Sequence, residues 1–178
     1  MPWRTLLLLL SIMLALPAWP ADTLVLGVFA YRPKDILAER YQPLADYLGT
    51  QLGGVKIEMR VLKQDEIEAA LAAGQLDLVF TNPSHYVVVR THFKLTGALA
   101  TLISDERGLA TSQLGGVIIT RVGNERIRTL ADLKGAELIV PGTKFLGGYQ
   151  AQAYELLEAG IRIPRDTRIR DVGSHDAV

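Results

Sequence analysis

Apolar runs and amphipathic stretches alternate along this chain, and the phase of each stretch predicts an element. LVLGVFA at 24–30 is uninterrupted by polar residues and reads as a strand covered on both faces, ended by the polar, aromatic loop Tyr31-Arg32-Pro33. Over 36–52 the apolar residues Leu37, Leu44, Tyr47, Leu48 and Leu52 recur at helical spacing until Gly53-Gly54, with Pro43 opening or kinking the helix. Val55, Ile57, Met59 and Val61 alternate with Lys56, Glu58 and Arg60, which predicts a strand with one covered face. A short helix with Asp65 and Glu68 as its capping pair follows, and Gly74 ends it. Leu78, Val79 and Phe80 form the third strand, which runs directly into a helix start: Thr81 and Asn82 are capping residues and Pro83 suits a first helical position. Three strands separated by helices predict a parallel sheet with helices on its faces, by the right-handed crossover rule.

Beyond Phe93 the pattern changes. Residues 95–103 and 116–120 read as strands flanking a polar loop at 104–113. Thr129 and Asp132 predict a one-turn to two-turn helix ended by Gly135, and residues 137–140 a short strand. After the turn Pro141-Gly142-Thr143-Lys144, a helix over 147–159 presents Tyr149, Ala153, Leu156 and Leu157 on one side and stops at Gly160. The second half therefore repeats the strand, turn, helix arrangement. Two such lobes would enclose a cleft, and clefts between lobes are preferred ligand sites.

At the amino terminus, Arg4 followed by the apolar stretch 6–16 reads as a secretory signal over 1–21, cleaved after Ala21 or Ala18, or else as an uncleaved membrane anchor. The 178 residues, 49% hydrophobic, suffice for one domain or two small lobes with a packed core. Lys plus Arg and Asp plus Glu both number 19, and loss of Arg4 with the leader leaves about one net negative charge, so no nucleic acid partner is expected. The absence of cysteine excludes a disulfide framework, thiol catalysis and thiolate metal sites.

The candidate chemistry sits at the two strand-to-helix junctions. A helix start at the carboxyl edge of a sheet offers unpaired amides and the positive end of the helix dipole, a natural seat for an anion. Asn82, Ser84 and Tyr86 lie at the first junction; Thr143, Lys144, Gly147, Gly148 and Tyr149 lie at the second, where the glycines let an anion approach the backbone. Each junction also has a plain reading, as a well-made helix cap and as a flexible turn with an exposed lysine. His85, His92 and His175 show no metal-ligand spacing, and no metal site or cofactor is expected. Ser84 and His85 are adjacent on a helix and point about 100° apart, so they form no nucleophile and base pair. No catalytic residue is expected. The run RDTRIRD at 165–171 reads as a solvated charged face.

Five pieces in order and spacing resemble the phosphonate-binding-like periplasmic solute-binding proteins of the type II, two-lobed class. They are LVLGVFA, YQPLADYLGTQLG at 41–53, DLVFTNPSHY at 77–86, TLADLKG at 129–135 and VGSHDAV at 172–178. The resemblance implies an α/β fold with parallel-rich sheets flanked by helices, lobe 1 over 22–93 and lobe 2 over 94–178. It also implies a small anionic or polar ligand bound between the lobes. By position it adds Tyr31 and His175 to the site and supports Ser84, Tyr86 and the 143–149 turn. One departure matters: where the family carries a hydroxyl-rich helix start, this chain has Lys144-Phe145-Leu146-Gly147-Gly148, which argues against a phosphonate and toward a different oxyanion or a ligand with an apolar part.

FTNPSHY is most similar to family members that act as extracytoplasmic sensor domains of membrane-bound histidine kinases or cyclases. The implied partner is therefore the protein's own signalling domain, or an ABC permease if the protein serves transport. In this family the chain returns to the first lobe after the serine-histidine motif, so more polypeptide is expected beyond Val178. An enzyme on the same architecture and a plain interaction module are the other readings.

Overall fold

The computed structural model describes residues 23–178; the leader expected over 1–21 lies outside the described residues. The first part of the chain runs β1 (Thr23–Phe29), α1 (Lys34–Gln51), β2 (Lys56–Leu62), α2 (Gln64–Ala72), β3 (Leu78–Phe80) and α3 (Pro83–His92). The strands form one parallel sheet in the order β2-β1-β3, with Leu26 opposite both Met59 and Leu78. β1 is central, which is why its sequence is apolar from Leu24 onward: Leu26, Val28 and Phe29 are all buried.

The buried stripe of α1 is Leu37, Tyr41, Ala45 and Gly49, a strict four-residue repeat, whereas Tyr47 and Leu52 are exposed. Leu37 and Tyr41 join Leu26 and Val28 in the first core, where full burial of an aliphatic side chain is worth about 1.5–3 kcal/mol. Gly49 is required by contact: a Cβ there would lie 2.7 Å from the carbonyl oxygen of Val55, the residue that leads into β2. α1 runs through Pro43, which forgoes one backbone donor but neither opens nor ends the helix. The start of α2 also differs from expectation. Glu66, not Glu68, reaches back, accepting the Lys63 N–H at 2.7 Å, and Glu68 is free to approach His85.

The second part holds β4 (Ser104–Glu106), β5 (Leu109–Thr111), β6 (Glu137–Val140), α4 (Ala151–Glu158) and β7 (Arg168–Asp171). The strands expected over 95–103 and 116–120 do not form. Leu99, Leu102, Val117 and Ile119 are exposed, and an apolar run becomes a strand only when a neighbour accepts its backbone hydrogen bonds. The polar loop between them instead folds into the β4-β5 hairpin. Its turn places Arg107 at φ 55° and Gly108 at φ 85°, with the Gly108 N–H bonded to the Asp105 carboxylate at 2.7 Å.

A single 3₁₀ turn at Leu130–Leu133 is capped as expected: the Asp132 carboxylate accepts from the Thr129 N–H and hydroxyl, both at 2.8 Å. β6 pairs in parallel with β7, so the charged run 165–171 contains a strand, with Ile169 opposite Leu138 and arginines on the exposed face. Leu133, Ala136, Leu156 and Ile161 form a second core, closed by the buried Thr167 hydroxyl, which donates to the Leu133 carbonyl at 2.9 Å.

Candidate functional site

The carboxyl ends of β1 and β3 deliver two features to one edge of the first sheet: the 30–33 loop and the start of α3. Asn82 caps α3 through its side chain, Oδ1 accepting the His85 N–H at 2.9 Å, and Pro83 occupies the first helical position where no donor is needed. The side-chain Nδ2 of Asn82 has no acceptor among the described residues. At the end of β6 the chain turns through Pro141 and Gly142 and winds into one wide π turn, Leu146–Gln150, that continues as α4. The Gly148 backbone lies against Pro141 and His175, and a Cβ there would stand 3.2 Å from His175 Nε2.

These two helix starts face each other across a cavity of about 440 Å³, within the range typical of small-molecule sites. Asn82 and Pro83 line one side and Leu146 and Gly147 the other. Ser84 Oγ donates to Gln150 Oε1 across the gap at 2.6 Å. Next to the cavity, the 30–33 loop meets the end of the chain: Arg32 and Asp176 are 2.7 Å apart, and His175 Nδ1 lies 3.4 Å from the Tyr31 carbonyl oxygen. Phe145 completes the wall, its ring 5.3 Å from that of Phe29 and edge-on to His175 at 4.8 Å.

The structure brings Tyr31, Asn82, Gly147 and His175 into this lining. Gly148 supports His175 from behind, and Ser84 bridges the two sides. Thr143 and Lys144 lie elsewhere, in a neighbouring depression beyond Phe145. Tyr86 and Tyr149 are outside the lining. The Tyr86 hydroxyl accepts from Arg90 on its own helix at 2.9 Å. The buried residues of α3 are His85, one residue earlier, and Val89, at the four-residue helical spacing, and His85 is not in the cavity lining either. With the cap fixed at Asn82, that phase was readable from the sequence.

Tyr41 and Gln150 were not foreseen. Tyr41 reaches the cavity from α1, and its hydroxyl is 3.1 Å from that of Tyr31. Burial, and then the bond to Tyr31, raise the Tyr41 pKa well above the ordinary phenol value, so it stays a neutral hydroxyl. No pattern in α4 marked Gln150, since a bridging amide has no local signature.

His85 is 2% exposed, its Nδ1 2.8 Å from Thr81 Oγ1 and its Nε2 3.4 Å from Glu68 without hydrogen-bond alignment. Burial pushes its pKa below the ordinary imidazole value; Glu68 opposes that and Lys144 reinforces it. Ser84 directs its proton to Gln150, so Ser84 and His85 do not combine as nucleophile and base. Among the described residues no group of three or more acidic or histidine side chains is placed to hold a metal ion.

Comparison with known proteins follows the same geometry. The family model described as ABC transporter, phosphonate, periplasmic substrate-binding protein matches residues 26–178. The tetrathionate sensor histidine kinase TtrS of Salmonella typhimurium is 34% identical over 157 residues, which cover 88% of this chain and 26% of that protein. A binding protein component of an ABC phosphonate transporter from Pseudomonas aeruginosa superposes with a TM-score of 0.63 at 11% identity, over 88% of this chain and 52% of that one. The chain thus spans about a quarter of the sensor kinase and about half of the solved binding protein. The structural likeness is one of fold: α/β, type II periplasmic-binding-protein-like, with parallel sheets flanked by helices.

Proposed function

The chain belongs to the periplasmic substrate-binding family of the phosphonate ABC transporters, and from that membership we propose that it is the solute-capturing part of an extracytoplasmic receptor. In this reading lobe 1 is 22–93 and lobe 2 is 94–178, and a small oxyanion closes them around the cavity between α3 and α4. The single observation that carries it is the meeting of two helix starts on one cavity, bridged by Ser84 and Gln150. Asn82 Nδ2, the amides at Gly147 and the start of α3, and the Tyr31 hydroxyl are the donors; His175 closes the mouth. Ser84 and Gly148 act behind them, and Thr143, Lys144, Tyr86 and Tyr149 do not touch the ligand.

Similarity to a tetrathionate sensor kinase favours sensory input over transport, with a membrane-bound signalling domain of the same protein as partner and an ABC permease as the transport counterpart. Such a receptor works outside the cytoplasm, exported by the segment at 1–21, and does no chemistry on its ligand. Thermal-shift measurements with tetrathionate, thiosulfate, sulfate, phosphate and methylphosphonate test this, because a ligand of the folded state raises the melting temperature. A rise of about 3 °C or more with at least one oxyanion is expected, of the order that about 1 kcal/mol of binding gives. No rise with any of them removes the receptor reading.

A further inference from the structure

Phe29 and Phe145 line two cavities, and the two differ sharply in charge. Among the described residues, the ligand cavity already described has no Asp, Glu, Lys or Arg in its lining. Its walls are aromatic and aliphatic, with Tyr41, Phe80, Phe145, Leu102 and Leu114 among them, and its polar groups are hydroxyls, amides and one histidine. The second depression, about 470 Å³, gathers Arg32, Lys34, Lys63 and Lys144 against Asp65 and Asp171. Arg32 and Lys34 are answered by Asp176 and Glu66, leaving Lys63 and Lys144 with no carboxylate within 4 Å among the described residues. Phe145 stands directly beside Lys144 in sequence and turns its ring to Phe29 and His175, so it forms the partition.

A compact anion loses most on entering such a site. The desolvation cost rises with the square of the charge and falls with ionic radius, and no formal cation in the cavity offsets it. Phosphate and phosphonate concentrate their charge on small oxygens and are strongly hydrated. An anion that spreads its charge over large, polarisable sulfur loses less water-binding energy and gains contact with aromatic rings, as sulfur does in protein cores. The donors present suit it: Asn82 Nδ2 lacks an acceptor among the described residues, and the positive end of the α3 dipole supplies a partial charge rather than a full one.

Resting on the receptor reading, we infer that the cleft selects a weakly hydrated, polarisable sulfur oxyanion over a phosphonate, and that Phe145 sets this preference by walling the neutral cavity off from the lysine-lined one. Replacing Phe145 with serine joins the two and lets Lys144 and Lys63 reach the ligand.

The test is isothermal titration of the protein and its Phe145→Ser variant with thiosulfate and with methylphosphonate, in buffer free of sulfate and phosphate and alkaline enough, at about pH 9, that both probes are dianions and differ only in how the charge is spread. The unmodified protein is expected to bind thiosulfate at least about tenfold more tightly, and Phe145→Ser to shift that ratio at least about tenfold toward methylphosphonate. Methylphosphonate binding as well as or better than thiosulfate overturns the inference and leaves the receptor standing. So does an unchanged ratio in a variant that melts cooperatively. If the variant does not fold, the ranking in the unmodified protein decides. Failure of both probes, together with no thermal shift from any oxyanion, removes receptor and inference alike.

Discussion

Asn82 is assigned two roles through two atoms, and a pair of substitutions separates them. Oδ1 caps α3 by accepting the His85 N–H at 2.9 Å, while Nδ2, on a residue that lines the cavity, is buried with no acceptor among the described residues. Asn82→Ala removes both and should cost about 1 kcal/mol of folding stability, the usual worth of an N-cap. Asn82→Asp keeps the capping oxygen, gains from the helix dipole, and exchanges one unpartnered buried atom for another. Its stability should lie within about 1 kcal/mol of the unmodified protein. Binding should respond in the opposite order. A carboxylate about 4 Å from a bound anion repels it by about 4 kcal/mol at an effective dielectric of about 20. Solvent screening at the cavity mouth lowers that, leaving at least about 2 kcal/mol, or a thirtyfold loss of affinity. Urea denaturation gives the first quantity and titration with thiosulfate the second. Asn82→Asp binding as tightly as the unmodified protein would show that the Asn82 side chain does not meet the ligand. A stability loss equal to that of Asn82→Ala would show that the cap is not what that oxygen provides.

Three further outcomes follow from the same geometry. His85 has a folded pKa below its unfolded value near 6.5, so its contribution is fully present above that pH and is lost as pH falls through the lower, folded value. Melting temperature should therefore decline below about pH 6.5, less steeply in His85→Gln, and parallel profiles for the two proteins would contradict the burial argument. Ser84→Ala and Gln150→Ala should each weaken ligand binding about three- to tenfold by removing a bridge between the two sides, worth about 1 kcal/mol. The double variant should be no worse than either single one, and additive losses in titration would show that the two side chains act separately. Gly148→Ala drives a methyl group into Pro141 and toward His175 and should cost about 1–3 kcal/mol in denaturant unfolding. Unchanged stability would mean that this turn has room the structure does not show.

Local chemistry was enough to read the first half of the chain. Strand-helix alternation over 23–92, the cap at Asn82, the Thr129-Asp132 box and the stops at Gly74, Gly135 and Gly160 all depend on side chains and backbone within four residues of one another. That the three strands run parallel followed from handedness, whereas their order β2-β1-β3 came from the structure. The same reasoning misread 95–103 and 116–120, because periodicity describes which side chains want cover and says nothing about whether a neighbouring strand is there to give it. It missed β7 for the converse reason: Arg168, Arg170 and Asp171 conceal a strand that exists only because β6 is present to pair with it.

The site divides along the same line. Sequence alone identified two helix starts with free amides, because capping residues and glycines announce themselves locally. That Asn82 and Gly147 share one cavity was decided by the fold, which also placed Lys144 beyond Phe145, in a separate depression. Each of those facts depends on contacts between residues far apart in the chain, such as Ser84 with Gln150, 66 positions away. No window of neighbouring residues contains such a contact; only packing two sheets against a common gap creates it.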